Sequence, residues 1–174
     1  MVLFVALVEV TAIYGLIIAF KIIGEGTESL VHLGAGLAIG LAGVGVAIGR
    51  GYLSDRALKV MGLNPSMISF FLTVSILGVA LVESAAIYAL IVSFQILGAE
   101  GLAGIAAVGA GLAIGLTGLG AGVGEGLLIK GAITAINKSP ESKGKIMAFM
   151  VLFVALIEVV AIYGLIVAFK IIAG

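Results

Sequence analysis

Residues 152–172 read LFVALIEVVAIYGLIVAFKII, an apolar run with one carboxylate, Glu158, near its middle. A helix crossing a bilayer needs about 20 predominantly apolar residues at about 1.5 Å of rise each, and this run supplies them. The chain holds two more versions of it. VLFVAL stands at residues 2–7 and again at 151–156, and AIYGLI stands at 12–17 and again at 161–166. The third version, GVALVESAAIYALIVSFQIL at residues 78–97, places Glu83 where the others place Glu9 and Glu158. An acidic side chain at the centre of an apolar span costs roughly 2.5–3.5 kcal/mol on insertion scales. A cost incurred three times in register points to reversible binding of H⁺ or Na⁺ on these glutamates. The alternative for each is a structural hydrogen bond made by a protonated carboxyl.

Composition supports the membrane reading. Of 174 residues, 63% are hydrophobic and 10% are charged, against about 25% charged in soluble domains. Without cysteine there is no disulfide or thiolate metal site, and His32 alone cannot build a histidine cluster. Formal net charge is zero, and no basic patch suits nucleic acid. The expected fold is all-α: five transmembrane helices at about 1–23, 30–60, 66–97, 102–137 and 145–173. Pro65 and Pro140 fall in short polar connections.

The chain repeats itself. GAGLAIGL occurs at residues 34–41 and again at 109–116, an offset of 75 that Glu83 and Glu158 share; Glu9 and Glu83 are 74 apart. The unit is a hairpin of one glycine-rich helix, a polar loop and one glutamate helix. Residues 30–97 form the first hairpin and 102–174 the second, and 1–23 is an unpaired glutamate helix. Each unit has two spans, so successive units point the same way, unlike inverted repeats. Met1 aligns with Met150, inside its helix. The expectation is a natural chain that begins upstream with a further glycine-rich helix; the alternative is a genuine five-helix protein. Arg50, Arg56 and Lys59 flank one hairpin loop, and Lys130, Lys138, Lys143 and Lys145 the other. Both loops are expected on the cytoplasmic side, opposite Glu25, Glu28 and Glu100.

Gly111, Gly115, Gly118 and Gly122 are spaced 4, 3 and 4 and form a narrow stripe. Gly36, Gly40 and Gly43 repeat it, with Ala47 in the fourth place. Small residues let helix backbones approach closely in lipid, so these helices are expected to pack as a tight layer, which many copies side by side could extend into an inner ring; the alternative is a compact monomeric bundle. Glu125 falls within about 40° of this stripe by helical rotation. Arg50 is its counterpart in the first hairpin. Glu125 is expected to add an oxygen to a sodium site or to share a proton with a helix-borne glutamate; the alternative is a solvated place near the membrane edge. Arg50 is left with two readings, pairing with a glutamate or standing solvated at the membrane edge. Thr11 and Ser84 place hydroxyls beside Glu9 and Glu83, whereas Glu158 is followed by valines. Tyr14, Tyr88 and Tyr163 each follow their glutamate by five residues. That is a rotation of about 140°, which suits a carboxylate on an adjacent helix better than the tyrosine's own.

With these residues in view, the chain resembles the proteolipid (c or K) subunit of rotary ATPases, most like the multi-hairpin V/A-type branch. The resemblance rests on GAGLAIGLTGLGAGVGEG (109–126), INKSPESKGK (136–145) and ALIEVVAIYGLIVAF (155–169) and extends over nearly the whole chain. It implies a homo-oligomeric ring in a membrane (the cell membrane in a prokaryote), with glycine helices inside and glutamate helices outside. Glu9, Glu83 and Glu158 would carry Na⁺ or H⁺ as cargo, with no cofactor. In a sodium protein, Glu83, Ser84 and Glu125 would be metal ligands, Thr11 a further hydroxyl, and the tyrosines would bond the carboxylates. Implied partners are lipid, a stator subunit supplying an arginine, and central-stalk subunits at the cytoplasmic loops. Arg50 departs from the family's Gln or Glu. A small glutamate-based secondary transporter or channel, uncoupled from any ATPase, is the competing reading.

Overall fold

The computed structural model describes residues 2–25 and 29–174, with side chains from Glu9 onward; Glu28 lies outside the described residues. Five helices follow in order: α1 (Val2–Glu25), α2 (Leu30–Leu63), α3 (Ile68–Gly98), α4 (Gly104–Lys138) and α5 (Lys143–Ala173). By length and apolar composition α2 to α5 qualify as membrane spans. α1 has 24 residues, about 36 Å of rise. The exposed side chains agree with a lipid environment: Leu116, Leu152, Leu156 and Ile166 are all more than half exposed, the reverse of a water-facing surface.

The two hairpin loops are built alike because their sequences are. α2 stops where the Asn64 N–H bonds the Val60 carbonyl at 2.9 Å, and α4 stops where the Ser139 N–H bonds the Ala135 carbonyl at 2.9 Å. Pro65 and Pro140 then open single 3-10 turns, a position where a missing N–H leaves no bond unmade. The Asn64 amide donates to the Asn137 side chain and ties the loops together. At the other end, Ser29 caps α2 by accepting from the Val31 N–H at 3.1 Å. Gly101, with φ 73°, makes the left-handed step between α3 and α4. Glu25, near the end of α1, bonds Lys21 and His32. The His32 hydrogen bond, then that of Lys21, hold its carboxyl below the usual carboxylate range.

The helices form two layers. α2 packs along α4; α3 lies in the groove between them and touches both; α1 packs on α2 and α3, and α5 on α4 and α3. Among the described residues, α1 touches neither α4 nor α5. The glycine-rich α2 and α4 are thus one layer, and the glutamate helices α1, α3 and α5 the other, in that lateral order.

The α2–α4 contact is backbone against backbone. A Cβ added at Gly122 would lie 2.6 Å from the Val46 nitrogen, and one at Gly115 2.7 Å from the Leu37 carbonyl oxygen. Gly111 meets the Gly34 backbone in the same way, and Gly118 meets the Ala42 methyl at 2.8 Å. The expected stripe on α4 therefore faces α2. The matching stripe on α2 does not face α4. Gly36 and Gly40 have no atom within 4 Å of an added Cβ, and Gly43 meets only the Thr11 methyl, at 3.1 Å. α2 instead offers Gly34, Gly45 and Gly49 to α4. The reason is the parallel repeat: if the stripe faces backwards from α4 to α2, the same stripe on α2 faces backwards too, away from α4. Gly122→Leu is expected to break the hairpin pair, because overpacking against rigid backbone costs typically about 1–3 kcal/mol or more. Gly51→Ala, at a position with open space, should leave thermal stability unchanged. Melting of both purified variants in detergent checks the contrast.

Candidate ion-binding site

Leu81, Ser84 and Tyr88 stand at i, i+3 and i+7 on α3, so they share one face. That face meets α4 and α5. The Tyr88 hydroxyl donates to the Glu158 carboxylate on α5 at 2.6 Å. Ser84 lies one turn earlier, within reach of the same phenol, and donates to the Leu81 carbonyl at 2.9 Å. Glu125 on α4 is fully buried and close enough to Glu158 for the two charges to be felt. Neither Glu125 oxygen has a hydrogen-bond partner among the described residues. Two neighbouring carboxyls in a low-dielectric site cannot both ionise without a cation or a shared proton. The oxygens present, from two carboxylates, a phenol, a hydroxyl and a carbonyl, are hard donors suited to a hard cation.

The preceding helix triplet repeats the glutamate and the tyrosine but reverses the sign at the third place, and Val10 stands where Ser84 stands in the other site. Glu83 takes the place of Glu158, Tyr14 of Tyr88, and Arg50 of Glu125. The Arg50 guanidinium pairs with Glu83 and donates to the Thr11 hydroxyl at 3.1 Å. It therefore joins α1, α2 and α3. Arg50 is 2% exposed and Glu83 8%, so the solvated membrane-edge reading of Arg50 fails, and Arg50 drops out of the basic loop that orients the protein. Arg56 and Lys59 remain there, Lys59 held by Asp55 at 2.8 Å. A cavity of about 200 Å³ beside the ion pair is lined by Val10, Tyr14, Ile76, Val79, Ala80 and the pair itself.

The structure regroups the expected ligands. Ser84 and Glu125 gather with Tyr88 and Glu158, not with Glu83. Ser84 follows Glu83 in sequence, but one helical step turns it by about 100° onto another face. Thr11 sits against Arg50. Glu9 is exposed, Tyr163 is 64% exposed, and they lie on the two lateral edges of the outer layer. The Leu81 carbonyl, which accepts the Ser84 hydroxyl at 2.9 Å, is not among the expected residues.

Comparison with known proteins matches the two-hairpin organisation. The family model described as the C subunit of ATP synthase matches the chain twice, over residues 33–96 and 108–171, one match per hairpin. The K subunit of the A-type ATP synthase of Methanocaldococcus jannaschii is 33% identical over 174 residues, spanning 96% of this chain and 74% of that protein. The ATP synthase c subunit of Clostridium beijerinckii is 43% identical over 70 residues, 40% of this chain and 97% of that protein. That of Thermotoga maritima is 40% identical over 66 residues, 38% of this chain and 78% of that protein. The chain is a multi-pass integral membrane protein that belongs to the c-subunit family of ATP synthases.

Proposed function

We propose that the chain is a rotor subunit of a rotary ATP synthase or ATPase and that it binds and carries Na⁺ or H⁺ at the α3–α4–α5 site. The observation that carries this reading is the buried Glu125 beside Glu158, which leaves a cation or proton as the natural third party. A loaded, neutral site can face lipid, whereas an ionised carboxylate cannot without a large cost. Loading on one side and release on the other would then make ion flow and rotation interdependent, with the stator arginine and central stalk supplied by other subunits. Expression of Glu125→Ala in the complete complex in vesicles is expected to raise the cation concentration for half-maximal transport by about tenfold or more, a loss of about 1.4 kcal/mol of binding. Unchanged concentration dependence would speak against Glu125 as part of the site.

The two glycine faces support a ring. α2 presents Gly36 and Gly40 at one edge of the inner layer, and α4 presents Gly120 at the other, all with open space around them. These edges repeat the two sides of the α2–α4 contact, so one copy can add to the next by the same rotation, a head-to-tail contact that closes when the angle allows. Gly36→Leu is therefore expected to leave the single chain folded but to block its oligomer. Native gel migration as a small species, from a protein with unaltered helix content, is the expected readout.

A further inference from the structure

The two sites built within this chain differ in one decisive residue. In the α3–α4–α5 site, position 125 is a buried acid that feels the charge of Glu158. In the α1–α2–α3 site, the equivalent position is Arg50, and its guanidinium is already paired with Glu83 and bonded to Thr11. We propose that Arg50 is a resident cation, standing where the transported ion stands in the other site, so that Glu83 is a fixed structural counter-ion and does not exchange ions. This rests on the ion-carrying reading of Glu158.

Three features support it. An arginine does not release its proton at any physiological pH, so the charge at this place is permanent. The guanidinium and Glu83 are both buried, and loading H⁺ or Na⁺ on Glu83 would leave a buried positive charge uncompensated. The groups that face the pair are consistent with a filled site. Thr11, on α1, already accepts from Arg50, and Tyr14, also on α1, lines the cavity beside the pair. The consequence is a chain with fewer working ion sites than membrane glutamates. A ring of such chains would move fewer ions per turn than a count of its glutamates suggests.

The test compares the two glutamates in one sample. The assembled oligomer is treated at mildly acidic pH with a lipid-soluble carbodiimide, which reacts with protonated carboxyls, and adducts are quantified by peptide mass spectrometry. Glu158 should react and Glu83 should react at least about tenfold less, because the buried Arg50 guanidinium already occupies its carboxylate. Arg50→Gln should bring Glu83 labelling up toward that of Glu158. Equal labelling of Glu83 and Glu158 in the unaltered chain overturns the proposal, and so does a Glu83 that stays unreactive in an assembled Arg50→Gln oligomer. If Arg50→Gln fails to assemble, the comparison within the unaltered chain decides alone. No adduct on either glutamate would overturn the ion-carrying reading, and this inference with it.

Discussion

Glu158→Gln is expected to abolish ion transport while leaving the protein inserted and assembled. Glutamine has the same shape, and its side-chain carbonyl can still accept the Tyr88 hydroxyl bond that now ends on Glu158 at 2.6 Å. What it lacks is a proton to exchange and a negative charge to hold a cation. The apolar surroundings that make a glutamate costly at this depth favour the neutral amide, so folding should not suffer. Transport by the complete complex in vesicles should fall by at least about a hundredfold, since the group that exchanges the ion is gone and nothing neutral replaces its charge. Native gel migration should match the unaltered protein. Substantial flux through an assembled Glu158→Gln oligomer would remove Glu158 from the ion path.

Arg50→Leu should produce the largest loss of stability of any single change at the two sites. It removes the partner of a carboxylate that is 8% exposed and the donor to Thr11. Breaking one side of a buried ion pair costs about 3–5 kcal/mol, mostly because the other charge is left alone. Replacing both members with apolar residues of similar volume is often neutral, so Arg50→Leu with Glu83→Leu should recover most of the loss. Thermal unfolding of the purified single and double variants in detergent measures the recovery. A double variant as unstable as Arg50→Leu would mean that the guanidinium acts through packing or Thr11 and not through Glu83.

Much of this architecture is legible in the residues. Three glutamate runs and an offset of 75 define the hairpins, and the helices fall within a few residues of the expected bounds. α2 runs on to Leu63 because nothing halts it before Asn64 and Pro65. The rotation of about 140° between each glutamate and its tyrosine foretells a bond across helices, and Tyr88 makes that bond to Glu158. Two things are not legible. A repeat shows which positions are equivalent but not which neighbour each one faces, so the Gly36, Gly40 and Gly43 stripe suggests the contact that Gly34, Gly45 and Gly49 in fact make. Adjacency in sequence also suggests that Ser84 serves Glu83, whereas the helix turns the two onto different faces. Arg50 reads equally as a surface charge or as a buried partner until Glu83 is seen against it, because charge alone does not set depth.

The ion-carrying role of Glu158 is tested most directly by its carbodiimide reactivity in the assembled oligomer as pH and Na⁺ concentration are varied separately. Reactivity that falls as pH rises shows a carboxyl that gives up its proton reversibly, and protection by Na⁺ at constant pH would identify sodium as the cargo, held with Glu125, Tyr88 and Ser84. A Glu158 that stays unreactive at every pH, with and without Na⁺, would contradict the proposed site.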